Sequence, residues 1–469
     1  MKLFSDHSPR AWWLFYAAAA ITFLPALGFY YVGEEAIFPL SALEMWYHGE
    51  PVQRLLFGRD LQHNPLFVWL IVPAASLIGW DAVLPVTRGI TIGATLLSGG
   101  VVAWLAQALY ANRAFSAMAA VVYLTLADLF FYRGWLAYVD PLFGLLIFGA
   151  IACLWVACER RQCSLVAMAL VIIYAAFMAK TLTAYAFYAG AGLVLLCRTD
   201  YRRFLLTVPA LVLHAAGAVL PFIWLALFAS NRGQSTRLVT EITAKLMPET
   251  LGGYLTKLAA YPLEALLCLA PAGLLALWLF VRQRAAIAAQ QDVSLKIAAG
   301  IVLVNFLPYW LAPHAHVRYL LPLFPLAGWV IARVLWLGGT AWLTRTRQWL
   351  AAAIVLKLAL VLVAFPLYQQ RYRGANYAEA ARAIIVRTAG NPLYTTNVSA
   401  SGLSVAAYID VARLPQPPLT FPPENWQHGF VIAYETDDQL SVLVTQYRLG
   451  GDNLYLLCRG TACAAPAPR

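Results

Sequence analysis

The chain alternates long apolar runs with short polar connections, and the lengths of those runs predict most of its architecture. Residues 11–31 (AWWLFYAAAAITFLPALGFYY) form the first run. As a helix it covers the ~30 Å hydrocarbon core of a bilayer. Comparable runs follow at 84–109, 114–132, 140–158, 164–180, 183–197, 204–228, 261–281, 297–312, 319–336 and 349–367, and each predicts a crossing helix. The run 65–79 (PLFVWLIVPAASLIG) is the exception. It would reach only about 22 Å as a helix, so it is expected to lie in the interface. Counting it as a span would also invert every later loop. The expectation is therefore about eleven spans.

After about residue 370 the period changes. Residues 377–388 and 404–410 read as helices, and 393–396, 430–434 and 454–458 as strands. A turn rich in proline (Pro415, Pro417, Pro418, Pro422, Pro423) lies between the second helix and the later strands. The expected fold class is an all-α polytopic membrane protein with a small C-terminal α/β domain. Its boundaries are 1–368 for the membrane domain, including a long loop 33–83 with interfacial helices, and 369–469 for the tail.

Composition excludes a soluble globular protein. The chain is 62% apolar and 12% charged with a mean hydropathy of +0.68, against about 25% charged in soluble domains. A net charge of +11 does not point to nucleic acid, because the basic residues cluster between apolar runs. Arg113, Arg160, Arg161, Arg198, Arg202, Arg203, Arg282, Arg284, Lys296, Arg345 and Arg347 all fall on one side of the predicted topology. That is the positive-inside pattern. Lys2 and Arg10 place the N-terminus in the cytoplasm, and an odd number of spans places the C-terminus outside, as expected for a multi-pass inner or plasma membrane protein. The first run is expected to be retained, since Glu34 and Glu35 follow it and no small-residue cleavage box intervenes. Cys153, Cys158, Cys163, Cys197 and Cys268 lie in or beside apolar runs as small core residues. Cys458 and Cys463 sit in the soluble tail, either bridged or as two free thiols.

Candidate chemistry gathers on the outer face. Glu34 and Glu35 stand directly after the first span, and carboxylates there either mark a helix end or line a wet cavity. Adjacent helical positions diverge by ~100°, so the two cannot both aim at one atom unless Gly33 breaks the helix. Asp140 precedes Pro141 at a span's outer end, as a second site carboxylate, an N-cap, or both. Lys180 interrupts an apolar stretch, either snorkelling or meeting an anion such as a phosphate. Arg318 is suited to bidentate phosphate binding, beside Tyr319 and the loop histidines His314 and His316. Arg232 and Arg237 could meet an anionic headgroup or simply be solvated. Glu34 with His63 is a candidate pair for a divalent ion, although no cofactor is required by the sequence.

The order of these signals resembles a known family. Glu34-Glu35, Asn64-Pro65-Leu66-Phe67-Val68-Trp69-Leu70, Asp140-Pro141-Leu142-Phe143, Ala179-Lys180 and Arg318-Tyr319-Leu320-Leu321-Pro322-Leu323-Phe324-Pro325 follow one another as in the GT-C class glycosyltransferases that use lipid-linked sugars. The similar group is that of the protein O-mannosyltransferases and lipid A aminoarabinose transferases. The resemblance implies a single sugar taken from a polyprenyl-phosphate donor and passed to an extracytoplasmic lipid, glycan or protein acceptor. It implies that the first acid, Glu34, acts at the reaction centre with Glu35 and Asp140 nearby. Lys180, Arg318 and Tyr319 would hold the donor phosphate, with His63, Arg232 and Arg237 as further donor or acceptor contacts. This sequence departs from the pattern in having Glu34 for the usual Asp, Ile37 for an Arg, and His63-Asn64 for a Glu-Lys pair. A transporter or flippase is the alternative, but no internal repeat is found. A scaffold without catalysis is a third reading, in which the acidic pair would tolerate glutamine.

Overall fold

The computed structural model describes residues 7–52, 54–61, 63–228, 250–436, 441–449 and 451–464. Eight helical stretches among them are long and apolar enough to cross a membrane: Pro9–Gly28, Trp80–Tyr110, Asp140–Arg160, Val208–Leu227, Ala272–Ala289, Val293–Leu311, Val317–Leu337 and Thr340–Arg371. Three more predicted spans form shorter apolar helices, Arg113–Leu124, Cys163–Ala179 and Thr183–Leu196. The chain is a multi-pass membrane protein. The exceptional run forms a helix of 13 residues, Leu66–Ile78, of the same length class as those three.

Two predicted spans are interrupted. The run 261–281 divides into Leu251–Cys268 and Ala272–Ala289. Pro271 has no N–H to continue the ladder, and the Ala270 carbonyl instead accepts from the Ala127 N–H at 2.8 Å. The run 114–132 stops at Leu124 and resumes as one π-turn, Leu129–Arg133. In both cases a hydropathy average runs through a break in the backbone.

The chain divides into two compact units. The first comprises Met1–Leu24, Thr91–Trp135 and Val139–Leu358. Its centre is Trp329, fully buried and ringed by Tyr110, Phe115 and Trp155 at centroid distances of 5.6 to 6.0 Å. The neighbouring Gly328 lets Phe324–Leu337 approach Arg113–Leu124, because a Cβ there would lie 3.0 Å from the Tyr123 Cα. Asp292 caps the helix Val293–Leu311 through the Leu295 N–H, accepts from the Tyr110 hydroxyl, and pairs with Arg333 at 2.6 Å.

The second unit comprises Pro25–Ile90, Leu136–Tyr138 and Ala359–Arg469. It joins the long loop 33–83 to the tail around a buried hairpin. β1 (Leu55–Leu56) and β2 (Arg59–Asp60) are joined by Phe57 and Gly58, both at positive φ (55° and 74°), which is the two-residue turn that suits strand twist. Phe57 is buried with Tyr31, Ala36 and Leu40 from the loop and with Ile384, Val405, Ile409 and Leu456 from the tail. Its carbonyl accepts from the Phe421 N–H at 3.2 Å. The tail holds β3 (Leu393–Thr395), β4 (Gly429–Ala433), β5 (Val442–Leu449) and β6 (Asp452–Arg459) in the order β3-β4-β6-β5. The β3–β4 pair is parallel and the others antiparallel. Helices Gly374–Arg387 and Ala400–Ala412 supply the core on one face. Cys458 and Cys463 form a disulfide.

Two buried carboxyl groups sit in this second unit. Glu44 accepts from the Phe57 and Gly58 N–H groups at 2.6 and 3.0 Å, closing the hairpin turn. Burial nevertheless pushes its carboxyl up to about 7. Asp410 accepts from the Leu419 N–H at 2.9 Å. Burial, with the Glu44 charge adding to it, pushes Asp410 up to about 8. In the unfolded chain both groups titrate near ~4. The folded state thus binds protons to higher pH, so their contribution to stability is complete below ~4, falls progressively as pH rises from there, and is gone above 7 to 8. We expect thermal unfolding of the detergent-solubilised protein to show stability falling across this window, on the order of 3 kcal/mol from Glu44 alone. The double variant Glu44→Gln, Asp410→Asn should flatten the profile, and a flat wild-type profile would contradict it.

Candidate active site

In the first unit the sequence-predicted residues Asp140, Lys180, Arg318 and Tyr319 come together. Asp140 opens the helix Asp140–Arg160, but Val139 holds the N-cap position and no side chain caps it. The Asp140 carboxylate is instead engaged by Lys180, whose Nζ donates to Oδ1 at 2.5 Å. Lys180 ends the helix Cys163–Ala179 at φ −141°, ψ −78°, in the break before Thr183–Leu196. Lys180 thus sits in a backbone break between two apolar helices. Its ammonium lies 5.6 Å from the Phe143 ring centroid and 5.9 Å from that of Tyr319. Both members of the pair keep partial access to solvent, at 17% and 21% side-chain exposure. Arg318 is exposed, with its guanidinium 5.2 Å from the Tyr319 ring. The result is a cation in an aromatic setting, with a second cation also close to the Tyr319 ring.

Sequence reading passed over several ionisable groups in this unit. Asp128 and Arg133 pair at 2.5 Å around the π-turn. Glu264 lies on Leu251–Cys268. Lys357 is fully buried, donates to the Phe130 carbonyl, and stands 3.3 Å from the Phe23 ring centroid. Asp128, Glu264 and Lys357 sit inside predicted spans and Arg133 directly after one, and a charge within an apolar run was the available signal.

In the second unit Gly33, at φ +60°, breaks the backbone ahead of the two acids. Glu34 is exposed, and its N–H donates to the Tyr138 hydroxyl at 3.2 Å. Its carboxylate makes no hydrogen bond or ion pair among the described residues. Glu35 faces the opposite way and is fully buried with Arg88. Its Oε1 accepts from Arg88 Nε at 2.9 Å and from the Ala137 N–H at 2.6 Å. Its Oε2 accepts from Arg88 Nη2 at 2.5 Å and from the Val32 N–H at 2.8 Å. Arg88 completes its donor set on the carbonyls of Ala26, Phe29 and Tyr30. The pair grouped as catalytic in the sequence is thus split: Glu35 holds the loop, and Glu34 alone presents a carboxylate to solvent.

His63 stacks on Phe38 at 5.7 Å, and its carbonyl accepts from Arg54. Arg54 also donates to Asn64 Oδ1 at 3.3 Å. Among the described residues no group of three or more His, Cys, Asp or Glu side chains is arranged to hold a metal, which leaves Glu34 and His63 without a third ligand. Arg232 and Arg237 lie outside the described residues.

The fold has solved counterparts. A structure of ArnT from Cupriavidus metallidurans bound to undecaprenyl phosphate matches with a TM-score of 0.68 at 13% identity, covering 97% of this chain and 98% of that chain. The same protein in the apo state matches with a TM-score of 0.67 at 14% identity over the same shares. The oligosaccharyltransferase of Archaeoglobus fulgidus in its apo form matches with a TM-score of 0.52 at 11% identity, covering 85% of this chain and 64% of that one. No family model and no curated protein matches the sequence. The GT-C architecture expected from the motif order is therefore the fold of this chain.

The division of labour between the acids has a direct test in stability. Arg88→Met would leave the Glu35 charge buried without its partner, and should cost about 3–5 kcal/mol. Glu34→Gln changes an exposed side chain and should leave the melting temperature unchanged. Equal melting temperatures for wild type and Arg88→Met in detergent would refute the holding role.

Proposed function

We propose that this chain is an integral-membrane glycosyltransferase that moves a single sugar from a polyprenyl-phosphate donor to an extracytoplasmic acceptor. The observation that carries the reading is Lys180, set in a helix break, partly solvated and oriented by Asp140. Such an ammonium is placed to meet a phosphate whose charge grows as it leaves the sugar. Arg318 offers a planar set of donors to the same anion, and the Tyr319 hydroxyl adds another. Solved structures of the same fold support the donor class, since one of them binds undecaprenyl phosphate. The bond from the anomeric carbon to the phosphate oxygen breaks, a bond from that carbon to the acceptor oxygen forms, and the acceptor's proton goes to a base.

Glu34 is the base in this proposal. It presents an uncommitted carboxylate, and a carboxylate can take the proton of an attacking hydroxyl. If the acceptor oxygen belongs to a phosphate already ionised at neutral pH, no base is needed. The acceptor classes in view are lipid A, another envelope glycan and protein. In this proposal the N-terminus is cytoplasmic and the C-terminus and the chemistry are extracytoplasmic, a reading that the Lys/Arg bias of the connections supports.

Purified protein supplied with a labelled undecaprenyl-phosphate sugar and an envelope glycolipid acceptor should transfer label. Lys180→Met should lower turnover about 10²–10³-fold, the usual cost of losing one stabilising donor, while the fold persists. Wild-type kinetics in that variant would remove Lys180 from the reaction. Glu34→Gln should abolish transfer to a hydroxyl acceptor and retain donor binding. Substantial activity in Glu34→Gln would identify a phosphate acceptor or another base.

A further inference from the structure

The first unit contains a groove that none of the roles above uses. It has a volume of ≈ 310 Å³ and lies between the helix Leu251–Cys268 and the connection 313–316, with Tyr261, Glu264, His314 and His316 among its lining residues. The volume is at the lower end of the range for small-molecule sites. Its walls are fixed from one side. Lys257 Nζ donates to the carbonyls of Tyr309, Trp310 and Ala312 at 2.8, 2.5 and 2.7 Å, closing the C-terminus of Val293–Leu311. Trp310 Nε1 donates to the Leu258 carbonyl at 2.8 Å, and the Tyr254 hydroxyl to that of Leu311 at 2.9 Å. The ammonium is thus consumed by the scaffold.

Glu264 has no such answer. It is exposed, on a helix where Leu263 and Leu267 are also exposed, and it makes no ion pair or hydrogen bond among the described residues. Its neighbour in the electrostatic field is another carboxylate, Asp128, whose own counter-charge is Arg133. A second anion in the groove would meet Glu264 and would find no free donor on Lys257, whose three N–H groups are on carbonyls. A metal would find fewer than three arranged ligands among the described residues. A carboxylate that only accepts, beside imidazoles that both donate and accept, is complementary to adjacent hydroxyl groups. The His316 ring lies 6.0 Å from that of Tyr319, whose other contacts include the Lys180 ammonium at 5.9 Å. The groove therefore opens one aromatic ring away from the cation assigned to the phosphate.

The geometry points to a sugar-ring subsite, in which Glu264 accepts hydrogen bonds from neighbouring ring hydroxyls and His316 contacts the same ring. The ring belongs either to the donor or to a glycan acceptor. This rests on the transferase reading for its place in the reaction, but not for the binding itself.

The test uses the full chain in detergent, with Glu264→Gln and His316→Asn as variants. Saturation-transfer NMR with methyl glucoside and methyl mannoside reads the subsite without any lipid. Wild type should show ring-proton signals that both variants lose. Absent signals in wild type, or unchanged signals in Glu264→Gln, would overturn the subsite whether or not transfer occurs. The source of the ring is then read from affinities for undecaprenyl phosphate and undecaprenyl-phosphate glucose. A donor-sugar site predicts that Glu264→Gln loses about tenfold for the sugar-bearing lipid and nothing for the bare phosphate. An acceptor site predicts unchanged affinity for both lipids and a raised KM for a glycolipid acceptor. If wild type binds the glycosides but neither lipid, the transferase reading fails and the subsite stands.

Discussion

The buried ion pair of Glu35 and Arg88 is the constraint on which the second unit depends. Removing two charges from water costs several kcal/mol each, and Coulomb attraction alone does not reliably offset it. What offsets it here is complete satisfaction. All five guanidinium N–H donors reach oxygens, and both carboxylate oxygens also take backbone N–H groups. Those partners come from 26–35, from residue 88 and from residue 137, so the pair fixes three stretches of backbone at once. It also explains the orientation of Glu34. With Glu35 anchored inward and Gly33 at positive φ, the preceding side chain is directed out to solvent.

The first unit shows the same logic with fewer elements. Asp292 is answered by Tyr110 and Arg333, Asp128 by Arg133, Asp140 by Lys180, and Lys257 by three carbonyls. Against that background an exposed carboxylate with no partner is informative. Glu264 is such a group in this unit among the described residues; in the second unit Glu34 shares that condition with Glu50 and Asp81. Fold likeness at 13% identity does not transmit chemistry, so weight falls on side chains that stability does not explain.

Run length and apolarity made the membrane fold legible, including the short helix Leu66–Ile78. Strand periodicity found β3, β4 and β6. β5 escaped because its pairing with β6 shifts register between Leu443 and Thr445, and a bulge destroys the alternation by which a strand is recognised. The break before Pro271 was hidden because every residue around it is apolar. Arg88, Asp128, Glu264 and Lys357 were hidden differently: one charge hardly changes the average over twenty residues. Their partners are also remote, as with Arg88 and Glu35 at 53 positions apart. The opposed roles of Glu34 and Glu35 were foreshadowed by the angle between adjacent positions and by Gly33. Which of the two turned inward depended on Arg88.

Among the described residues the three cations with no solvent exposure, Arg88, Arg347 and Lys357, share a property that concerns the order of synthesis. The carboxylate and carbonyls of Arg88 belong to residues 26–35. The rings beneath Arg347 are Trp12 and Phe15, and Lys357 meets Phe23 and Phe130. Every one of these partners is made before the cation it receives. A lone Arg or Lys at the centre of a nascent helix opposes its own insertion by about 2.5–3.5 kcal/mol, and one nearer a helix end, as Arg88 and Arg347 are, by less. In this chain each such residue leaves the ribosome after the partners named here have been translated, so that cost is borne only until it reaches groups already waiting. Reversing the order, as a circular permutant would, leaves the finished contacts the same and makes the route to them harder.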